Sequence, residues 1–292
     1  IIKTIKNNIF LNDIKKISGI LNGTTNYILS TMSEKNLSFR EVLKIAQSKG
    51  YTSEQEAELD IGGIDSAHKL TLLSTLCFGS KINFENNNIK GIAEIYIEDI
   101  INAKKLGYKI KLISQASIIN NQIYSVTEPK LVAKENPLFN VDGVLNAINI
   151  QTDQLKSLFI EGEGAGGNAT ASSVISDLYE ISSNSNISSL GYNTKQLIDY
   201  KKLDLLEKES SYYIRIMSKD ITGVLSKITS YFNDSEISVE KIIQIPDANI
   251  KNMAIPIIIS THFVKKDKLL LAINKIEKQD FILEKIIIIP ID

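Results

Sequence analysis

Apolar positions recur at helical spacing over about the first 80 residues, then change to strand-like runs and alternation. Ile5, Ile9 and Leu11 lead into a short apolar run, KKISGIL, within this mostly helical region. NGTTNYILSTM opens a helix, SFREVLKIAQSKG forms a second that Gly50 closes after Lys49, and DSAHKLTLLSTLCFG forms a third. Between the second and third, Glu54, Glu56, Glu58 and Asp60 fall in a glycine-flanked loop. From about residue 90 to residue 160, IKGIAEIYI, KIKLISQASIIN, QIYSVTEPKLVA and VLNAINIQTD read as strands, with EDIINAKKLGY a helix among them. Short polar turns such as NN between neighbours imply an antiparallel or mixed sheet, so the first half is α+β.

GEGAGG at Gly162 to Gly167 precedes a helix, NATASSVISDLYEI, and the polar stretch over residues 186–209 has the composition of a linker. Residues 210–292 read as strand SYYIRIM, helix TGVLSKITSYFND, strands ISVEKIIQI and NMAIPIIIS, helix KDKLLLAINKIEK and strand FILEKIIII. That order, βαββαβ, predicts a ferredoxin-like small domain. The chain therefore divides into residues 1–185, the linker, and residues 210–292.

A length of 292 residues suits two domains, and 43% hydrophobic with 23% charged residues suits a packed core rather than disorder. The net charge of -1 and pI near 6.3 supply no basic field for nucleic acid or an anionic membrane. No apolar run approaches the roughly 20 residues of a membrane span. Cys77, the one cysteine, allows no intramolecular disulfide, fits a reducing cytoplasm, and reads as a small buried side chain within LLSTLCFG. The chain opens at Ile1 without an initiator methionine and reads as a piece of something longer.

Two segments carry candidate chemistry. Asp65 and Lys69 stand four apart on one helix face, beside the acidic loop. Their plain reading is an exposed ion pair of little energetic weight. The apolar remainder of the helix argues instead for burial, and a buried lysine beside carboxylates can be tuned for proton transfer. A polar site with both signs of charge suits a small zwitterion. GEGAGG satisfies G-x-G-x-x-G and LKSLFI before it reads as a strand, but the helix after it runs into SSNSN, so no dinucleotide-binding βαβ unit closes. A glycine turn at a helix N-terminus could still touch a pyrophosphate or close over a cofactor held elsewhere; the alternative is a tight packing turn. His68 and His262 have no metal-ligand spacing with any carboxylate and read as structural, so no metal site is expected.

In chain order, ISGILNGTTNYILSTM, GYTSEQEAELDIGGIDSAHKLTLLSTLCFG, EDIINAKKLGYKIKLI, NPLFNVDGVLNAI and GEGAGGNATASSVISDL resemble the homoserine dehydrogenases, from Ile1 to about Leu178. The C-terminal part resembles the ACT domain that many bacterial members carry. The resemblance implies an oxidoreductase that interconverts L-homoserine and L-aspartate 4-semialdehyde with NADP or NAD, on the way to threonine, methionine and isoleucine. It also implies a Rossmann domain ahead of the substrate domain, so that most of the cofactor domain precedes Ile1, residues 162–185 pack on it, and the isolated chain is inactive.

Residue by residue, Lys69 resembles the family's proton donor and Asp65 its partner at the substrate hydroxyl. Glu54, eleven residues before Asp65, resembles the homoserine-binding glutamate, and Asp60 a second acidic position. Gly23 and Thr24 match the turn that contacts substrate and Tyr51 a further substrate position. Gly166, with Gly164 beside it, matches a contact to the nicotinamide cofactor. The chain departs from the pattern in lacking a proline between Gly50 and Asp60, in an extra Ser53 before Glu54, and in Thr222 where KDITGVLSKI would carry the ACT proline, although Gly223 is kept. The resemblance further implies a cytoplasmic homodimer, threonine as an effector at the ACT domain, and a monovalent-cation site ending before Ile1. The alternative from the residues alone is an amino-acid-sensing module without redox chemistry. A Schiff-base enzyme built on Lys69 is disfavoured, because a lysine flanked by carboxylates stays protonated.

Overall fold

Strands and helices are interspersed along the chain in a computed structural model that describes residues 1–9, 12–183, 196–244 and 254–292. Two units result: Ile1–Pro129 with Lys134–Leu203, and Lys130–Ala133 with Asp204–Asp292.

The first unit begins with α1 (Ile2–Thr4), β1 (Ile14–Ile20), α2 (Gly23–Lys35), α3 (Phe39–Ser48), α4 (Glu54–Ile61) and α5 (Ile64–Phe78). It continues through β2 (Asn88–Ile89), α6 (Ile97–Lys105), β3 (Tyr108–Ile119), β4 (Gln122–Ala133), β5 (Leu145–Thr152), β6 (Ser157–Glu163), α7 (Gly167–Ser182) and β7 (Lys201–Lys202). Its sheet has the order β6-β5-β1-β3-β4, and β2 and β7 run parallel to β4. β1 lies antiparallel between β3 and β5, and β6 pairs antiparallel with β5. The sheet is therefore mixed.

Four local expectations change. KKISGIL contributes β1, the middle strand; its last four residues are all buried, so it shows no alternation to distinguish a strand from a short apolar helix run. IKGIAEIYI does not form a strand beyond Ile89, because the chain bends at Gly91 beneath the α4–α5 corner. A Cβ at Gly91 would stand 2.1 Å from the carbonyl oxygen of Ile61. The acidic loop is helix α4, started by a capping box: the Ser53 hydroxyl accepts from the backbone N–H of Glu56, and the Ser53 N–H donates to the Glu56 carboxylate, both at 3.2 Å. Residues 196–203, expected in the linker, hold to the first unit: the Ile198 N–H donates to Gly79 and its carbonyl accepts from Lys81, both at 2.8 Å, and Lys201–Lys202 form β7. The stretch 186–195 lies outside the described residues.

Leu70, Leu73, Leu76 and Cys77 of α5 share a core with Ile17 of β1, Ala116 of β3, and Ile148 and Ile150 of β5. Burial of aliphatic side chains of this size stabilises by about 1.5–3 kcal/mol each. It clamps α5 to the sheet and so fixes the position of its polar face.

The second unit contains β8 (Glu209–Lys219), α8 (Val224–Asp234), β9 (Val239–Gln244), β10 (Ala254–Thr261), β11 (Val264–Lys265), α9 (Lys266–Glu277) and β12 (Ile287–Ile291). The sheet order β12-β8-β10-β9 is antiparallel throughout, with β11 paired to β8. The principal elements thus follow the βαββαβ order. The last strand starts at Ile287 rather than Phe281, because Phe281 turns into the core with Ile228, Phe232 and Ile276.

Candidate functional site

α2 starts at the end of β1, and its cap organises the polar groups around it. Asn22, 5% exposed, accepts from the Thr25 backbone N–H at 2.8 Å and from the Thr25 hydroxyl at 3.0 Å. The other end of the same side chain donates to Asp60 Oδ1 at 2.8 Å and Asp65 Oδ2 at 2.9 Å. Asp65 lies in the first turn of α5, where a carboxylate is favoured by the exposed N–H groups, and its Oδ2 also accepts from Lys69 Nζ at 2.7 Å. Lys69 donates again to the carbonyl of Leu21 at 3.0 Å. One asparagine and one lysine thus hold two carboxylates in place.

These groups border a cleft of about 630 Å³. Lys69, Asp65, Asp60 and Tyr51 line it, as do Gly23 and Thr24 of the α2 turn and Gly164 and Gly166 of the glycine-rich turn. Segments distant in sequence meet here. Thr24 is spoken for within the chain, its hydroxyl donating to the Tyr51 carbonyl at 2.9 Å.

Two sequence expectations are corrected. Both Glu54, the first residue of α4, and Glu56 are exposed, but Glu56 lines the cleft and Glu54 does not. Hydrogen bonds from the Ser53 hydroxyl and backbone N–H hold the Glu56 carboxyl below its ordinary range, which keeps a fixed negative charge at the rim. Lys69 is not buried: its side chain is 48% exposed, because the apolar residues of α5 take the opposite face to the sheet. The cleft is open above it.

Asn22, Glu56, Lys49 and Asn146 also line the cleft, and the sequence assigned none of them a role of its own, naming Glu56 only as part of the acidic loop. The N-cap position of Asn22 before GTT and the S-x-x-E spacing of Ser53 and Glu56 were signals for two of them. Nothing local marks Lys49 or Asn146. Lys49 Nζ sits 5.4 Å from the Tyr27 ring and 5.9 Å from the Tyr51 ring, which meet edge to face.

The glycine turn does not open a Rossmann unit, since β6 before it runs antiparallel to β5. It does leave room for a flat ligand. Gly166 caps α7 at φ +108°, and a Cβ there would meet nothing within 4 Å. A second cleft of about 640 Å³ adjoins the first, sharing Lys69, Asn146 and Gly164, with α7 as its other side. His68 packs tilted against Phe84 with ring centroids 4.4 Å apart, and burial pushes the Cys77 thiol up to about 12, so that thiol is not poised as a reactive group.

The homoserine dehydrogenase family model matches residues 1–179. A homoserine dehydrogenase of Helicobacter pylori is 38% identical over 284 residues, covering 97% of this chain and 66% of the relative. The crystal structure of a homoserine dehydrogenase from Thiobacillus denitrificans superposes with a TM-score of 0.89 at 34% identity, covering all of this chain and 67% of that one. A hyperthermophilic archaeal homoserine dehydrogenase mutant in complex with NADPH matches 62% of this chain and 51% of its own length, at 30% identity and a TM-score of 0.52. The chain spans about two thirds of the length of the curated relatives it matches.

Proposed function

Because the chain belongs to the homoserine dehydrogenase family, we propose that it forms the substrate-binding and proton-transferring part of an enzyme that interconverts L-homoserine and L-aspartate 4-semialdehyde with NADP or NAD. Such an enzyme serves the synthesis of threonine, methionine and isoleucine. The observation that carries the proposal is the coupled set Asn22, Asp60, Asp65 and Lys69 at the bottom of an open cleft.

The bound cofactor supplies or accepts the hydride at the carbon that bears the reacting oxygen. Lys69 handles the matching proton. Its ammonium carries three N–H groups, of which Leu21 and Asp65 take two. The third is left for the substrate oxygen: Lys69 delivers a proton when the aldehyde is reduced and recovers one when the alcohol is oxidised. Asp65 aims the amine, and is itself oriented by Asn22. Asp60 and Glu56 provide the negative side of the cleft for the substrate ammonium, a role the sequence reading had given to Asp60 and Glu54. Gly166, with Gly164 beside it, would hold the nicotinamide end of the cofactor, and at Gly166 the backbone is bare enough for a ring to approach. A sensing module without redox chemistry would need no lysine held ready in this way.

α7 supports docking on a nucleotide-binding portion like the one the family carries. None of its residues is buried, and Val174, Ile175, Leu178 and Tyr179 are all more than half exposed. We read the second unit as an ACT-type regulatory domain with threonine as effector; in its support, Gly223 starts α8 at φ +92° in the KDITGVLSKI turn. The same reading takes the protein as a cytoplasmic homodimer with a monovalent cation held outside this chain. Among the described residues, no helix is long and apolar enough to cross a membrane.

Lys69→Ala tests the central claim. In the full-length enzyme it should lower NAD(P)H-coupled turnover by roughly 10²-fold or more while homoserine binding by calorimetry persists. Turnover near the wild-type rate would remove Lys69 from the mechanism.

A further inference from the structure

The chain leaves the side-chain amide of Asn146 unanswered. Asn146 is on β5, and its Oδ1 is buried without a hydrogen-bond partner among the described residues. A buried acceptor left unpaired is destabilising, and such atoms persist where a ligand supplies the missing donor. The amide lies at the junction of the two clefts, since Asn146 lines both.

One glycine makes room for it and a second borders it. A Cβ at Gly164 would stand 1.9 Å from Asn146 Nδ2, and one at Gly23 would stand 3.5 Å from Asn146 Oδ1. The amide is thus wedged between the α2 turn and the glycine-rich turn, the two segments read as substrate and cofactor contacts. Gly164 therefore has a task within the chain, which is to admit Asn146.

The chemistry of the surrounding groups selects the ligand atom. Asp60 and Glu56 answer a cationic ammonium, and Lys69 answers the reacting oxygen. A neutral amide has no special claim on either. What remains is a neutral group carrying both a donor and an acceptor, and the carboxamide on a nicotinamide ring is such a group. It complements an asparagine amide whichever way that amide is turned, N–H to oxygen.

Resting on the function proposed above, we infer that Asn146 is a cofactor-positioning residue whose amide pairs with the nicotinamide carboxamide and sets the ring beside Lys69. The glycine turn then acts as the frame of that contact.

The test compares two nucleotides by equilibrium binding, with no turnover required. NADP and its 3-acetylpyridine analogue, in which a methyl group replaces the carboxamide NH2, are titrated into the full-length enzyme by calorimetry. The wild type should bind NADP roughly tenfold more tightly than the analogue. Asn146→Leu, close in shape and without hydrogen-bonding groups, should bind both alike. Gly164→Ala, whose Cβ displaces the amide while leaving Asn146 in the sequence, should lose the preference as well, and it keeps the question open to measurement should Asn146→Leu fail to fold. Retention of the tenfold preference in either folded variant overturns the inference. A wild-type enzyme that turns over homoserine without preferring NADP overturns the inference alone; one that binds neither nucleotide overturns the proposed function with it.

Discussion

Asn22 ties the start of α2 to both carboxylates of the cleft, so its replacement tests the whole arrangement without any assumption about substrate. Asn22→Ala removes an N-cap, about 1 kcal/mol in typical hosts. It also removes two hydrogen bonds to ionised acceptors, each worth about 1.5–3 kcal/mol when well shielded. Here the carboxylates border an open cleft and Asp65 keeps Lys69, so solvent and that ion pair reduce the second contribution to about half. The sum is about 2.5–4 kcal/mol, a roughly 60- to 700-fold rise in the opening equilibrium. Hydrogen exchange of peptides from β3, which pairs with β1 ahead of the cap, reports that change for the unit concerned. Asn22→Asp separates the two contributions. It retains a good capping group but places a third carboxylate beside Asp60 and Asp65, so at pH 7 it should destabilise at least as much as Asn22→Ala. Exchange within threefold of wild type for Asn22→Asp at pH 7 would refute the idea that Asn22 works as a donor between two charged groups.

Lys111, 1% exposed, donates to the Val141 carbonyl at 2.6 Å, Asp142 Oδ1 at 2.7 Å and Asn26 Oδ1 at 3.0 Å, so Lys111→Met should cost about 2–4 kcal/mol in urea unfolding. Burial lowers the Lys111 pKa despite the opposing pull of Asp142, so the folded chain holds that proton less firmly than the unfolded chain. Stability should therefore gain from this residue as pH rises between the lowered folded value and the ordinary 10.5, and a pH series on Lys111→Met should lack that gain. Gly91→Ala forces a Cβ onto the backbone at 2.1 Å from Ile61 O and 2.8 Å from the Gly62 Cα, and should lower stability by at least about 2 kcal/mol. Gly162→Ala, with open space at its Cβ, is the control, expected within about 0.5 kcal/mol in the same thermal scan. Cys77, buried and with its thiol at about 12, should resist a disulfide reagent at pH 8 in the folded chain and react fully in urea, as counted by thiolate release.

The start of α2 and the stop of α3, where Gly50 sits at φ +74°, were legible because their causes are local; the capping box of Ser53 is equally local, yet α4 behind it passed for a loop. The pairing of Asp65 with Lys69 was legible for the same reason, since four residues on a helix bring two side chains to one face. The order of elements in the second unit followed from the alternation of apolar runs with amphipathic ones. β1 was hidden because its end is buried throughout, which removes the period-two pattern that identifies a strand. The choice of Glu56 over Glu54 depended on a capping box that ties the Glu56 carboxylate to Ser53 beside the cleft. Asn146 was the farthest from view. It belongs to β5, whereas Lys69 belongs to α5, and only the sheet register together with the missing Cβ of Gly164 brings its amide to the place where the two clefts join. The sequence by itself determined the local elements and the pair of opposite charges, through interactions that span a few residues. The openness of the cleft, the carboxylates that face it and the amide at its junction were decided by contacts between distant segments, which exist only once the sheet and α5 have packed.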